Sequence, residues 1–505
     1  MEYATVNSVR RDLASLITGR VLELGDEGFA NSLSIDNGRV TRRPFLVVLP
    51  SNTQDVAVTV KYCHERGIRL TTKAGGHSAA GYCLNSEGVV LDLADMNGVA
   101  FDPANKQQLS VGAGTRWILA YDFLRDQQSP YIPIGGGCSG VGVAGFTLGG
   151  GYSFISRSYG LGCDNVNGLE FVSTVGNVYE LNSNKIFTAN SNKRDHDKVE
   201  LYRALRGAGG GNFGVVTRID LQLQKTHVPR LTTGQVNFPF YRVNEVLQFY
   251  NKWVLKLPDE MAVYGMMRNF PNQRLGGKPT LALRFTPVFN GRFADAIALL
   301  KPLLDLDPDD VEFYSLTLPE WEDFAGASTQ VRGHSAYIRS LVLGCESLTD
   351  KVADVCKFYL GRAPSPDSYV VWTHAGGAIA KCGDEKSSFA HRDGMFIFEL
   401  KSEWDSSQPL QARPNIEWAV DFFDELEQYA QGAYLNYIDP LLLEWQRMYY
   451  RNEYARLLQV QERWNRDGWL SFQQCIGSDY NISPPRTKPV DLSPLSRTIY
   501  RVKKD

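Results

Sequence analysis

The stretch GGGCSGVGVAGFTLGGG, residues 135–151, decides the fold expected for this chain. About half of its residues are glycine, and each glycine inside a helix or strand costs about 0.5–1 kcal/mol relative to alanine. Because glycine lets the backbone turn freely and approach a ligand closely, so dense a run predicts main-chain amides lying against an anionic or planar cofactor. Cys138 is the only reactive side chain in the run. It is therefore a candidate for a bond to that cofactor.

The same run matches the GxGxxG pattern of nicotinamide-dinucleotide sites through Gly135, Gly137 and Gly140, and a second match starts at Gly209. That pattern needs a strand before it, a sustained helix after it and an acidic residue about twenty positions further on. The first match continues into more glycine. The second follows a predicted helix (VELYRALRG) and precedes a predicted strand (VVTRIDLQL), which is the reverse order. The sequence therefore argues against a nicotinamide fold.

Length and composition restrict the class of protein. A chain of 505 residues with 43% hydrophobic content predicts two domains, or three. The net charge of -3 and the absence of basic runs argue against nucleic-acid and anionic-membrane partners. No stretch reaches the roughly eighteen apolar residues of a membrane span, and the first residues lack the apolar core of a signal peptide, so we expect a soluble, cytoplasmic protein. The eight cysteines show no CxxC spacing, which predicts neither a metal site nor a disulfide framework.

The order of the predicted elements indicates an α+β protein. Short strands and helices alternate up to about residue 225, and one strand, IRLTTK, leads into the turn AGGHS, which carries His77. From about 226 to 430, helical patterns such as VNEVLQFYNKWVLKL alternate with longer strands such as GMFIFELKSEW. We expect there an antiparallel sheet with helices on one face. The remaining residues contain the aromatic segment AYLNYIDP.

Six motifs occur in an order that resembles the berberine-bridge-enzyme-like oxidases, within the vanillyl-alcohol-oxidase (PCMH-type) flavoproteins. They are AGGHS, GGGCSGVGVAG, LGGGYSFISRSYGLGCDNV, ALRGAGGGNFGVVT, FAHRDG and AYLNYIDP. The resemblance covers nearly the whole chain. It implies an α+β, two-domain PCMH-type FAD-binding fold with an antiparallel-sheet substrate domain covered by helices. The expected parts are an FAD-binding domain (1–225), a substrate-binding domain (226–430) and a C-terminal segment (431–505) that returns to the FAD domain.

The resemblance also implies that FAD is attached twice, through His77 to its 8α-methyl group and through Cys138 to C6 of the isoalloxazine. Each of these residues is the only nucleophile in its glycine-rich loop, which agrees with that assignment. Two attachments should hold the ring firmly and raise its reduction potential. The other residues that the resemblance assigns to the cofactor are Gly75, Gly76, Ser78, Ala79, Gly135, Gly136, Gly137, Val141, Gly142, Gly145, Gly149, Gly150, Asn165, Gly211, Val216 and Tyr437.

Three residues are candidate catalytic groups. An alcohol gives up hydride only as its hydroxyl proton is removed, so a base must stand within about 3 Å of that oxygen. In similar proteins the second tyrosine of the YxNY segment is this base, here Tyr437. A free tyrosine has a pKa of about 10, so we expect either that hydrogen bonding or positive charge lowers this pKa, or that the phenol is only partly ionised at neutral pH. Glu399 matches a position at which similar proteins carry either a glutamine or a glutamate that acts as the base. Alternation along the strand should put Glu399 on the same face as Ile397. Tyr152 matches a pocket tyrosine. Whether Tyr437 or Glu399 is the principal base stays open.

Four further positions refine these expectations. Val141 matches a position that gates oxygen in similar proteins, and a small residue there favours an oxidase that yields hydrogen peroxide. Ala79 and Ile397 stand where plant relatives carry a tyrosine and a lysine, which argues against a monolignol substrate. Glu453 stands where asparagine is usual, and this puts a local flavin contact in doubt.

The function expected from all of this is oxidation of an alcohol, either a sugar hydroxyl or a hydroxyl on a secondary metabolite, to a carbonyl with oxygen as acceptor. Without a recognisable signal peptide, natural-product tailoring such as antibiotic biosynthesis is favoured. An oxidative cyclase of the berberine-bridge type, an oligosaccharide C1 oxidase, and a flavin-carrying protein without turnover are the alternatives. The sequence makes no prediction about the oligomeric state.

Overall fold

The first of the three main sheets lies near the N-terminus of this computed structural model, which describes residues 3–182, 195–272, 277–317, 320, 334–383 and 385–478. The sheet has four strands, and two of its three strand pairings are parallel. The helix Thr53–Glu65 joins two of its strands, as its hydrophobic pattern predicts, and begins where the Asn52 side chain accepts a hydrogen bond from the amide of Asp55 at 3.0 Å. In spatial order the strands are Arg20–Leu22, Leu46–Leu49, Val89–Asp92 and Leu70–Lys73.

A second sheet of five strands is antiparallel throughout. It contains the hairpin predicted from NGLEFVSTVGNVYELN and the strand predicted from VVTRIDLQL. Strands Tyr131–Ile132 and Gln224–Lys225 form a separate small pair beside it. In spatial order the five strands are Val99–Asp102, Asn105–Gly112, Gly214–Gln222, Val166–Ser173 and Val178–Asn182.

The third sheet has eight strands, all paired antiparallel. The expected α+β fold with an antiparallel sheet covered by helices is confirmed, and four strands that the sequence pattern did not reveal complete the sheet: Leu231–Pro239, Asp310–Leu316, His334–Leu343 and Ala430–Gly432. In spatial order the eight are Asp310–Leu316, Leu231–Pro239, Lys278–Phe289, Met261–Asn272, Tyr369–His374, Phe396–Asp405, His334–Leu343 and Ala430–Gly432.

The two faces of this sheet differ in chemistry. On the helix-covered face, Phe398 stacks on Trp372 with ring centroids 5.3 Å apart, and both side chains are buried. On the opposite face, which we call the open face, Ile397 packs with Leu161 and other residues of the N-terminal half. Glu399 follows Ile397 on this same face, as strand alternation predicts. The open face therefore turns charged side chains toward the glycine-rich loops.

The glycine-rich run itself contains a short helix, Val143–Leu148. The high glycine content argued against any helix or strand in this run, and that interpretation is wrong for its second half. A Cβ atom at Gly145 would meet no heavy atom within 4 Å, so this glycine relieves no crowding within the helix. The other α-helices are Tyr3–Leu16, Phe29–Ser32, Trp117–Asp126, Ser156–Tyr159, His196–Ala204, Val243–Trp253, Phe293–Leu304, Asp350–Leu360, Ala378–Lys381, Ala412–Glu427, Trp445–Tyr450 and Glu453–Trp464.

Across the residues that the structure describes, every helix is too short or too polar to cross a membrane.

Candidate active site

The loops that carry His77 and Cys138 touch each other through their backbones. A Cβ atom at Gly75 would lie 2.3 Å from the amide nitrogen of Gly142, and one at Gly142 would lie 2.5 Å from the nitrogen of Gly75. Only glycine fits at either position, because such distances are far inside van der Waals contact. The two nucleophiles that the sequence singled out, some sixty residues apart in the chain, therefore belong to one site.

The Cys138 loop is held by the start of the helix Trp117–Asp126. The amide of Val141 donates to the carbonyl of Cys138 at 3.2 Å, which closes a tight turn, and the carbonyl of Val141 accepts from the amide of Trp117 at 3.0 Å. A Cβ atom at Gly135 would lie 2.3 Å from the Tyr121 hydroxyl, which itself donates to the carbonyl of Gly136 at 2.7 Å. Part of the glycine content thus serves packing onto this helix rather than ligand approach.

Charged groups surround the two nucleophiles. Asp36 Oδ1 lies 3.8 Å from Nδ1 of His77. Burial lowers the pKa of His77, against which Asp36 acts to raise it. Burial raises the pKa of the Cys138 thiol, because it too disfavours the charged form, whereas backbone amides of the same turn act to lower this pKa. Asp36 was not predicted, because nothing in its surrounding sequence marks it.

The C-terminal segment around Tyr434 lies directly on the end of the glycine-rich run. The Tyr434 hydroxyl accepts hydrogen bonds from the amides of Gly151 at 3.0 Å and Tyr152 at 3.4 Å. Asn436 covers Gly149 so closely that a Cβ atom there would lie 2.0 Å from its Oδ1. Two of the six sequence motifs thus form one contact, which holds the 3₁₀ turn Leu435–Tyr437 in place.

Tyr437 is hydrogen-bonded to Glu399, and we call these two residues the Tyr437–Glu399 pair. A second phenol, Tyr369, donates to Oε1 of Glu399 at 3.3 Å from the neighbouring strand. Ser340 lies opposite Glu399 in the strand register, and its hydroxyl accepts a hydrogen bond from the amide of Tyr434 at 2.9 Å. The sheet and the C-terminal turn therefore position the pair from both sides.

The electrostatics of the pair differ from the expectation. Burial, and then the neighbouring Glu399 carboxylate, hold the pKa of Tyr437 well above its usual value of 10. Of the two expectations for this phenol, the lowered pKa is wrong, because its partner is an anion rather than a cation, and the phenol that is little ionised at neutral pH agrees with this environment. Burial also raises the pKa of Glu399, whereas Lys401 and the hydroxyls of Tyr437 and Tyr369 act to lower it. Between the two groups, the carboxylate is the better proton acceptor.

Lys401 is a further charged residue of the site. It follows Glu399 by two positions and shares its face of the strand, with Nζ 3.4 Å from Oε2 of Glu403 and 5.6 Å from the ring centroid of Tyr369. Although burial acts to lower its pKa, Tyr369, Glu399 and Glu403 raise it, so Lys401 is a cation. Extending the alternation from Ile397 and Glu399 by one more step would have found it.

Buried contacts on the other side of the sheet hold the segment that follows Tyr437. Asp439 accepts from Arg339 Nε at 2.6 Å and from the Tyr337 hydroxyl, and all three residues are buried. These residues lie on strand His334–Leu343, which the sequence pattern did not reveal, so this anchor could not be predicted.

Tyr152 and Asn165 both make contacts within the protein. The Tyr152 ring packs edge-on against Tyr434 at 5.1 Å and shares an apolar cluster with Tyr437, and its buried hydroxyl has no hydrogen-bond partner among the described residues, so it makes no hydrogen bond to either member of the pair. The Asn165 amide donates to the carbonyls of Tyr159 and Leu161 and accepts from Gln224, which uses its side chain within the protein. The catalytic and cofactor assignments of these two residues stay predictions that rest on the resemblance.

Several remaining predicted positions line the same region. Gly211 adopts a φ of 79°, and the carbonyl of Leu148 accepts hydrogen bonds from the amides of Gly207 and Gly209, so the second glycine run joins the first. Val216 is buried in the strand Gly214–Gln222. Gly136 packs against Phe146, and Gly150, with a φ of 123°, packs against Phe389.

The three positions at which this chain departs from the similar proteins make identifiable local contacts. The carbonyl of Ala79 accepts from the buried Asn37 amide, which also bonds both ways to Ala336 and so ties the His77 loop to the large sheet. Ile397 belongs to an apolar cluster with Tyr434 and Tyr437. Glu453 pairs with the buried Arg203 at 2.6 Å, so it joins the C-terminal segment to helix His196–Ala204.

Comparison with known proteins supports the fold and the cofactor. The family model described as FAD binding domain matches residues 44–182, and the model described as Berberine and berberine like matches residues 433–477. The uncharacterized FAD-linked oxidoreductase YvdP of Bacillus subtilis (strain 168) is 25% identical over 470 residues, which cover 91% of this chain and 98% of that protein.

Two solved structures share the fold. The BBE-like 1 protein of Physcomitrella patens has a TM-score of 0.80 at 21% identity, covering 93% of this chain and 98% of its own. A xylooligosaccharide oxidase from Myceliophthora thermophila C1, solved with xylobiose, has a TM-score of 0.79 at 22% identity, with coverage of 93% and 98%.

The residues present fit an FAD group on physical grounds. A Cβ atom at Gly145 would meet no heavy atom within 4 Å, so the backbone there is open to a ligand. Beside the Cys138 loop, the buried hydroxyl of Thr115 and the indole N–H of Trp117 have no hydrogen-bond partner within the described ranges. Buried polar groups normally have partners, so these atoms are consistent with a polar ligand nearby. The chain therefore carries an FAD-binding domain and a C-terminal segment that matches the berberine-like model, and it is an FAD-linked oxidoreductase whose fold is shared by the BBE-like proteins.

Proposed function

We propose that this protein is an oxidase that converts an alcohol to a carbonyl, with molecular oxygen as the final acceptor and hydrogen peroxide as the second product. The observation that carries the proposal is the Tyr437–Glu399 pair on the open face of the large sheet, where Lys401 acts electrostatically on Glu399, His77 and Cys138. A proton acceptor opposite an FAD site is what removal of a hydroxyl proton requires. When bound, FAD accepts the hydride that leaves the carbinol carbon.

Within the pair, Glu399 is the residue that finally holds the proton. Tyr437 already donates its hydroxyl proton toward the carboxylate, and its raised pKa disfavours a free phenolate. A substrate hydroxyl can therefore pass its proton to Tyr437 as Tyr437 passes its own to Glu399, or directly to Glu399. Lys401 and Tyr369 hold the carboxylate charged and oriented until the proton arrives.

We further propose a class of substrate. The xylooligosaccharide oxidase has the same fold, which favours a sugar hydroxyl or a similar small alcohol. Val141 is a small residue beside Cys138 and supports the assignment of oxygen as acceptor. We propose natural-product tailoring as the biological role, on the resemblance and the predicted cellular location.

Anaerobic mixing with a panel of sugars, benzylic alcohols and polyketide alcohols tests the activity. At least one alcohol should bleach the flavin absorbance, and readmitted oxygen should restore it with one hydrogen peroxide per carbonyl formed. If every alcohol leaves the flavin oxidised, the protein does not act as an alcohol oxidase.

The buried glutamate favours one second candidate, an oxidative cyclase, because a carboxylate can deprotonate a nucleophile that closes a ring. Product analysis separates the two reactions. An oxidase yields an aldehyde or ketone, whereas a cyclase yields a ring and no carbonyl.

We also propose that FAD is bound covalently through both His77 and Cys138. After acid precipitation the flavin should stay with the wild-type polypeptide, and His77→Ala and Cys138→Ala should each retain it through the other residue. The double variant should release it. Intact-mass spectrometry and absorbance of the supernatant give the result, and Cys345→Ala, at an exposed cysteine, is the matched control. Free flavin from the wild type would rule out the linkage.

Replacing Lys401 with methionine should move the acidic limb of the pH–rate profile to higher pH. The Lys401 cation acts to lower the pKa of Glu399, so its loss raises that pKa and the carboxylate is protonated at higher pH than in the wild type. Anaerobic flavin reduction measured across pH gives the limb directly. Lys401→Arg should keep the wild-type profile. An unmoved limb in the methionine variant would show that Lys401 does not act on the base.

A further inference from the structure

Two arginines lie beyond Tyr369 on the open face of the large sheet. Met266 pairs with Val371, and Val371 pairs with Glu399, so the register continues from the base across to strand Met261–Asn272. Arg268 follows Met266 by two positions and therefore shares its face. Its Cζ lies 5.7 Å from the ring centroid of Tyr369, whose hydroxyl donates to Glu399.

Arg268 has no acidic partner among the described residues. Its contacts are the rings of Tyr369 and Phe270, with Cζ 6.0 Å from the Phe270 centroid, and its buried Nε has no hydrogen-bond acceptor there. A buried N–H without an acceptor is costly, and a guanidinium is charged at any physiological pH. An arginine in this state is consistent with a missing anionic partner.

Arg284, on the next strand, differs from Arg268 because its Nε has a hydrogen-bond acceptor. Its Nε donates to Oδ1 of Asn237 at 2.8 Å, and its Cζ lies 3.8 Å from the Phe270 centroid. Burial lowers the pKa of Arg284, Asp310 acts to raise it, and the nearby Arg268 lowers it further. Two like charges thus lie near the Phe270 ring, and an anion close to both would relieve their repulsion.

We propose that the substrate carries a carboxylate, bound by Arg268 with support from the charge of Arg284, while its hydroxyl lies at the Tyr437–Glu399 pair. This inference rests on the proposed function and names the class of alcohol as hydroxy acids. The Nε of Arg268, which has no acceptor among the described residues, and an adjacent Nη form a planar fork that matches two carboxylate oxygens, a geometry that Lys cannot reproduce.

The spacing of the strands sets the size of such a substrate. Arg268 and Glu399 lie on strands separated by one other strand, Tyr369–His374, which is about 10 Å. A carboxylate at that distance leaves the charge of the base little affected, and the Tyr369 ring forms the wall between them. The carboxylate and the oxidised carbon should therefore be at opposite ends of an extended small molecule.

Binding of matched pairs tests this inference without turnover. Calorimetric titration of the holoenzyme compares benzoate, phenylacetate and 4-methylbenzoate, which carry no hydroxyl to oxidise, with their primary amides. In the wild type at least one acid should bind about tenfold or more tightly than its amide. In Arg268→Met this ratio should fall to near one, because the methionine fills the space on Tyr369 without charge. Arg268→Lys should lie between them.

Arg292→Met is the matched control, since Arg292 is an exposed arginine of the same part of the chain whose side chain is 78% exposed. It should keep the wild-type ratio. The inference is overturned if no acid in the set is preferred over its amide by the wild type, or if Arg268→Met keeps the preference. Should the methionine variant fail to fold, a lysine variant with an unchanged ratio would overturn it equally. Because the readout is binding, a protein that prefers acids yet never oxidises an alcohol would refute the proposed function and leave Arg268 as an anion site.

Discussion

Glu399→Gln is expected to lower the rate of anaerobic flavin reduction by about 10³-fold, within the range observed for loss of a general base. Glutamine keeps the size of the side chain and its hydrogen bonds to Tyr437 and Tyr369, but it cannot take a proton at neutral pH. Stopped-flow measurement of the flavin absorbance with a saturating alcohol gives the rate. The amount of bound FAD should not change.

The pH dependence provides a second reading of the same variant. In the wild type the active form of Glu399 is the carboxylate, so the rate should fall as pH drops through its pKa. Since burial raises that pKa, this loss should begin at higher pH than for a free glutamate. The acidic limb should vanish in Glu399→Gln.

Glu403→Gln is the matched control, because it makes the same change on the same strand face four residues away, beside Lys401. It should retain most of the rate. Equal losses in both variants would mean that negative charge on this face, rather than a base at Glu399, supports the reaction.

Tyr437→Phe is expected to lower the same rate by about 10²-fold if the phenol passes the proton on to Glu399. Phenylalanine keeps the ring that packs against Tyr434 at 5.2 Å and removes only the hydroxyl bonded to the carboxylate. Loss of that hydroxyl also removes one group that lowers the pKa of Glu399, so the acidic limb should move to higher pH.

Tyr152→Phe provides the comparison. Its hydroxyl lies in the same apolar cluster but has no partner among the described residues. Its removal should change the rate little. An unchanged rate in Tyr437→Phe would leave proton removal to Glu399 alone, and a large loss in Tyr152→Phe would restore that tyrosine as a catalytic group.

The two nucleophile loops show how far local pattern reaches. AGGHS and GGGCSG could each be identified because a reactive side chain among glycines is unusual in sequence. The contact between Gly75 and Gly142 could not be predicted. It requires that the two loops meet at the point where each of them has a glycine, so that no side chain lies between their backbones. Spacing along the chain carries no information about that coincidence.

The base shows the opposite case, in which a residue was predicted and its chemistry was not. Tyr437 and Glu399 were both named, but their hydrogen bond joins segments that are distant in the chain. A pKa depends on burial and on neighbouring charge, and both come from packing. The expected lowering for Tyr437 was therefore wrong even though the residue lies in the site.

The sequence by itself determined the glycine-rich loops, the period-2 alternation that puts Ile397 and Glu399 on one face, and most helices of the large sheet's cover, because each of these is a property of neighbouring residues. Only the tertiary structure decided that Tyr437 is hydrogen-bonded to an anion and that Lys401 and Tyr369 stabilise the Glu399 carboxylate. It also decided that Arg268 has no acidic partner among the described residues. These are relations between strands, and strand order and register are set by packing of the whole sheet.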